Sequence, residues 1–205
     1  MNKQRWFFVP ASLFILICGV LALVLPYGNE ILFFNEYRSE PLNSIFRFFS
    51  WCGESWVWVV AVIATYFIRP YLTPLIALTG LIIIPFAYLV KDQVGTDRPI
   101  TYFRNMGQLE EVVTVSEVRL NSGQTSFPSG HTLSAFGLSS LLVLSMGHHW
   151  KKRSFALALL AMMIGFSRIF LVQHFLVDVV GGATLGLIIS ALAWWAWNAL
   201  RRKRL

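Results

Sequence analysis

Long apolar runs separated by short polar turns dominate the chain, and their lengths predict its elements. Runs at Phe7–Leu25, Trp56–Ile68, Leu72–Val90, Thr132–Met146, Phe155–Val172 and Val179–Leu200 each read as a helix, because crossing the hydrocarbon core takes about 20 mostly apolar helical residues. The second and fourth are short and each needs a flanking turn. Phe46–Gly53 is apolar as well, and reads as the beginning of the second crossing or as an interfacial helix. Trp194, Trp195 and Trp197 close the sixth run as an interfacial aromatic belt does. The expectation is an all-α, six-transmembrane helical bundle. No repeat, linker or low-complexity tract interrupts it, so a single integral domain over residues 1–205 is expected. Lys3 and Arg5 precede the first run as in a secretory signal, but the run is too long for a signal core and no small-x-small site follows before Pro26. It reads as a retained anchor.

With 56% hydrophobic and 13% charged residues, the chain is not an ordinary soluble domain. Six crossings would put Lys3, Arg5, Arg69, Lys151, Lys152, Arg153, Arg201, Arg202, Lys203 and Arg204 on the side of the N-terminus, and all 10 Asp and Glu on the other. By the positive-inside rule both termini are then cytoplasmic and the acidic side faces the exterior or periplasm. The net charge of +7 becomes a matter of topology, with some attraction to anionic lipid, and no nucleic-acid partner is expected. Cys18 and Cys52 fall at different depths, which argues against a disulfide and for packing roles.

Three polar tracts interrupt this background, all at helix ends on the acidic side. The first, Lys91 to Pro99, places two cations seven residues apart, with Pro99 fixing the backbone after Arg98. Arginine offers a planar fork for two phosphate oxygens and lysine a compact charge. Interfacial anchoring also accounts for Lys91, and Asp92 and Asp97 are available to pair with both cations. The second tract is Pro128-Ser129-Gly130-His131. Proline and serine are ordinary helix-start signals, whereas a glycine lets backbone approach a ligand, free first-turn amides bind anions, and a histidine there can deliver a proton. The third runs from Ser167 to Asp178. Arg168 at that depth is costly unless paired. His174 and Asp178 stack on one face if the sixth helix begins early, and a carboxylate on one ring nitrogen leaves the other free as a nucleophile. A buried ion pair joining two helices is the plainer account of that pair. His148 and His149 sit on the basic side, away from these tracts.

The order and internal spacing of these motifs resemble the type 2 phosphatidic acid phosphatase family, which shares its core with vanadium haloperoxidases and bacterial acid phosphatases. The family pattern of Lys, six residues, Arg-Pro; then Pro-Ser-Gly-His; then Ser-Arg, five residues, His, three residues, Asp is present as Lys91/Arg98/Pro99, Pro128/Ser129/Gly130/His131 and Ser167/Arg168/His174/Asp178. The resemblance covers about the second half of the chain, with the motifs between residues 91 and 178. It implies that Lys91, Arg98 and Arg168, with Ser129 and the Gly130 amide, bind the phosphoryl oxygens. It further implies that His174, oriented by Asp178, attacks phosphorus to give a phosphohistidine and that His131 protonates the leaving oxygen. No metal and no cofactor is expected.

A site at the outer interface of an apolar bundle suits a phosphorylated lipid: phosphatidic acid, phosphatidylglycerophosphate, polyprenyl diphosphate or a lipid A-type glycolipid. The loop Thr101–Phe127 is the expected seat of specificity, and the alternation in Val113–Leu120 predicts a short strand within it. A lipid phosphotransferase using the same intermediate, a haloperoxidase and a non-enzymatic lipid-phosphate carrier are the competing readings; the membrane-embedded architecture argues against the second.

Overall fold

The computed structural model describes residues 4–145 and 151–202, and every regular element among them is helical. The α-helices are α1 (Arg5–Val24), α2 (Asn29–Phe33), α3 (Glu40–Trp51), α4 (Trp56–Ile68), α5 (Thr73–Val94), α6 (Pro99–Asn105), α7 (Gly130–Ser145), α8 (Lys151–Phe170) and α9 (Leu176–Arg202). The strand expected in Val113–Leu120 is not formed; the segment is irregular chain after a short 3₁₀ turn at Leu109–Glu111. Its alternation reflects a few inward contacts instead, with Val115 buried against Phe170 and Leu171.

Four helices, α1, α5, α8 and α9, are long and apolar enough to cross a bilayer, and α3 with α4 makes a fifth if the pair, bent by 57°, is one span. The six-crossing count is therefore not confirmed. The 13 residues of α4 and the 16 of α7 give rises of about 20 and 24 Å, short of a core about 30 Å thick. Phe46–Gly53 is the end of α3 and the turn after it, not the opening of α4. The remaining boundaries shift by a turn or less. α5 continues to Val94, so Lys91 lies within its last turn, and α8 begins at Lys151, so the basic triplet is helical. His148, His149 and Met146 lie outside the described residues.

Helix α7 is the central post. Eleven of its residues are buried, on all sides, against α9, α8 and α5, as expected for a helix apolar all round. Phe14 of α1 stacks on Phe136 of α7 and meets Phe166 of α8 edge-on, while Trp58, Leu75, Ile76 and Leu133 join α4, α5 and α7 in a second cluster. Large apolar side chains such as Leu16, Leu23, Phe67 and Leu81 point outward. An apolar periphery of this extent has lipid as its natural solvent.

Small residues set the α7–α9 seam. A Cβ on Gly182 would lie 2.6 Å from the Ser129 carbonyl oxygen, and one on Gly186 would lie 2.5 Å from that of Leu133. This is the small-xxx-small spacing that lets backbones touch in membrane proteins. Because the obstacles are backbone, Gly186→Ala is expected to force the helices apart at a cost of about 1–3 kcal/mol. A thermal midpoint in detergent unchanged from wild type would show that the seam spreads freely.

The two ends of the bundle differ. At one, Arg69 donates to the Ser145 carbonyl at 2.8 Å and Arg201 sits over the Tyr71 ring. The three polar tracts gather at the other.

Candidate active site

Lys91 is buried, and its Nζ donates to the carbonyls of Thr125 at 2.8 Å and Ser126 at 3.2 Å. Gly95, at φ 62°, then ends α5 in the left-handed region that favours glycine and reverses the chain. Pro99 opens α6 at its first position, which leaves Arg98 extended as the cap. The Arg98 guanidinium donates to the Gln173 carbonyl at 3.0 Å and to Thr125 Oγ1 at 3.3 Å, and its NH1 lies 3.2 Å from His174 Nε2. Neither cation takes Asp92 or Asp97 as partner; Asp97 accepts instead from Asn105.

His174 lies in the turn ahead of α9, not on the helix. Its backbone amide and that of Gln173 both donate to the Arg168 carbonyl, at 3.1 and 2.9 Å. Asp178 sits in the first turn of α9 with its Oδ2 3.4 Å from His174 Nδ1. That oxygen already accepts from Ser126 Oγ at 2.5 Å and from the Phe175 amide at 2.8 Å, so the imidazole contact is electrostatic and poorly aligned. The pattern assigns the ring tautomer. A guanidinium only donates, so Nε2 presents its lone pair to Arg98 and the ring proton resides on Nδ1, toward Asp178. Burial, followed by the charges of Arg98, Lys91 and Arg168, pushes the His174 pKa well below its ordinary value. A neutral imidazole with a free Nε2 lone pair is chemically a nucleophile.

Arg168 is buried in the last turn of α8 and donates to Ser50 Oγ of α3. Gly130 and His131 begin α7, where first-turn amides have no carbonyl behind them to bond, and a side chain at Gly130 would meet nothing within 4 Å. His131 Nε2 lies 3.2 Å from Glu54 Oε1, a charge contact without hydrogen-bond alignment. Its effect shows on Glu54, whose carboxyl His131 holds below the usual carboxylate range.

Ser129 is set back from the cavity wall. It is fully buried, its amide donates to the Asp178 carbonyl at 3.0 Å and its hydroxyl accepts from Thr132 at 2.8 Å, so it fastens α7 to α9 behind the site. The cavity in front, about 1010 Å³, is lined by Lys91, Arg98, Gly130, His131, Arg168 and His174, and continues past Ile84 and Tyr88 along α5. Seven of the eight expected residues thus meet at one place, six on the wall and Asp178 directly behind His174.

Sequence reasoning missed five contributors: Ser50, Glu54, Thr125, Ser126 and Gln173. Ser126 and Gln173 adjoin the motifs, and the polarity of Gln173 in apolar surroundings was a usable signal. Ser50 and Glu54 are remote in sequence and carried none.

The family model of the PAP2 superfamily matches residues 56–202. The chain belongs to the PAP2 superfamily. Within the superfamily it resembles the lipid A 1-phosphatase of Porphyromonas gingivalis, 37% identical over 77 residues, or 38% of this chain and 17% of that protein. It is also similar to phosphatidylglycerophosphatase B of Bacillus subtilis, 35% identical over 74 residues, or 33% of this chain and 36% of that protein. These matches therefore span well under half the length of either relative. Among solved structures, that of Aquifex aeolicus LpxE superposes with a TM-score of 0.66 at 26% identity, covering 80% of this chain and 91% of that one. The transmembrane PAP2-type phosphatidylglycerolphosphate phosphatase of Bacillus subtilis shares the fold at a TM-score of 0.58 and 21% identity, over 99% and 98% of the two chains.

Proposed function

We propose that this chain is a membrane lipid phosphatase, one integral domain that hydrolyses a lipid phosphate monoester or diphosphate through a phosphohistidine. The observation that carries the reading is the line Arg98–His174–Asp178, with the lone pair of Nε2 turned to the cationic side and the ring proton to the carboxylate. A phosphoryl group entering the cavity exchanges the Arg98–imidazole contact for guanidinium–phosphate contacts. Lys91 and Arg168, with the opening amides of α7, take the other equatorial oxygens, and Nε2 attacks in line. Fixed cations around those oxygens supply the electrostatic stabilisation that phosphoryl transfer requires.

A lipid is favoured as substrate because the cavity runs from the cations onto the apolar face of α5, and because the curated relatives are named as phosphatases of lipids. Phosphatidic acid, phosphatidylglycerophosphate, polyprenyl diphosphate and lipid A-type phosphates all fit. The clustering of Arg69 and Arg201 at the end opposite the site supports an outward-facing site, with the basic end in the cytoplasm.

The test is phosphate release by the purified protein from a panel of these lipids. Release in excess chelator and inhibition by vanadate, which mimics the trigonal-bipyramidal transition state, are the expected results. Activity that needs an added divalent ion, phosphate that appears only on an acceptor alcohol, or binding without turnover would each replace the reading.

A further inference from the structure

We infer that Glu54 is a positioning residue for this reaction: it holds the His131 imidazolium in place for protonating the leaving oxygen. The inference rests on the phosphatase reading above and extends it to a part of the chain outside all three motifs. Glu54 lies in the turn between α3 and α4, half-exposed at the cavity edge, with Oε1 3.2 Å from His131 Nε2. The turn is pressed onto the ring by design of its neighbours. A Cβ on Gly53 would stand 2.6 Å from Ile164 Cγ2 and 3.2 Å from both Cβ and Cδ2 of His131, so only glycine lets the backbone come this close. Ser50, one turn earlier, accepts from Arg168, and Trp58, one turn later, donates to Ser134 Oγ of α7 at 2.6 Å. Segment 50–58 is thus bolted to the site on both sides of Glu54.

The charge arrangement gives the carboxylate its task. Burial first, and then Arg168 and Lys91 as positive neighbours, oppose a positive charge on the His131 ring. Among the groups acting on that ring, Glu54 is the anion. In the first step the bond from His174 Nε2 to phosphorus forms, the bond from phosphorus to the leaving oxygen breaks, and that oxygen takes a proton from His131. In the second, water oxygen bonds phosphorus, the phosphorus–nitrogen bond breaks, and His131 recovers its proton from that water. Glu54 steadies the imidazolium at both ends of the cycle while gaining and losing no atoms.

The experiment compares wild type, Glu54→Gln, His131→Ala and the double variant on two phosphates, one with an alkyl and one with an activated aryl leaving group. Glu54→Gln is expected to lower kcat on the alkyl phosphate about 10–100-fold, within the range spanned by general-acid effects, with KM and the aryl rate changed less than about threefold. Adding it to His131→Ala is expected to bring no further loss, as for residues acting as a unit. Equal loss on both substrates, a change confined to KM, or additive loss in the double variant would overturn the inference. The near-normal aryl rate is itself the control for folding; should Glu54→Gln fail to fold, Glu54→Asp is read by the same pattern. A wild type without phosphatase activity would remove the underlying reading, whereas an active wild type matched by Glu54→Gln on both substrates would remove only this inference.

Discussion

His174→Ala is expected to reduce phosphate release to background, a fall of at least about 10⁴-fold if it behaves like loss of a nucleophile from other covalent-catalysis sites. Thr125 also lines the cavity within reach of Arg98, but its hydroxyl is a far weaker nucleophile than a neutral imidazole unless a base activates it. Asp178→Asn is expected to fall between that variant and wild type. An amide oxygen at the Oδ2 position can still accept from Ser126 and the Phe175 amide, so the turn keeps its shape, while the charge that favours the Nδ1 proton is gone. A folded His174→Ala with full activity would end the covalent mechanism. The same residue shapes the pH dependence of stability. Burial and neighbouring cations keep His174 unprotonated in the fold well below its ordinary pKa, whereas the unfolded chain takes up a proton near pH 6.5. Below that pH the unfolded state therefore binds more protons, and stability drops as pH falls. His174→Ala should lose part of this acid-side slope, measured as detergent-phase melting between pH 5 and 7.5.

His131→Ala is expected to slow hydrolysis of an alkyl phosphate by about 10²–10⁴-fold, the span of general-acid catalysis. It should barely slow hydrolysis of an activated aryl phosphate, whose leaving group departs without a proton. His174→Ala should be equally inactive on both. The two imidazoles earn these different expectations from their partners: His174 faces the buried Asp178, and His131 faces Glu54 at the cavity edge. Loss of equal size on both substrates by His131→Ala would assign it to holding the phosphate.

Much of this was legible in the chain because membrane helices announce themselves by composition, and because a charged or imidazole side chain in an apolar run has few reasons to be there. Lys91, Arg98, Arg168, His174 and Asp178 stood out for that reason and converge as expected. Lengths were harder to read. Charge does not end a helix, so α5 absorbs Lys91 and α9 takes in Asp178. Conversely, α4 and α7 stop short of a full crossing. The alternation in Val113–Leu120 suggested a strand, but a lone strand has no neighbouring strand to pair with, and side chains of Asn35, Arg47 and Gln173 bond its backbone instead. Ser129 shows that a motif position records proximity to the site and not the direction of a side chain: its hydroxyl accepts from Thr132 and its amide donates to the Asp178 carbonyl. Glu54 was invisible because its relation to His131 spans 77 positions and exists only once α3 and α4 bend around α7.

Thr125 and Ser126 give the loop before α7 a fixed and a free portion. The carbonyls of these two neighbours receive Lys91, and the Ser126 hydroxyl grips Asp178, so one cation and one buried carboxylate are both indexed to two adjacent residues. Residues 106–120 bear no such duty toward those two groups. Over evolutionary time the distal part of the loop is thus at liberty to lengthen, shorten and change its chemistry, while the stretch just before Pro128 must keep its register, since a single inserted residue there would misplace Lys91 and Asp178 together.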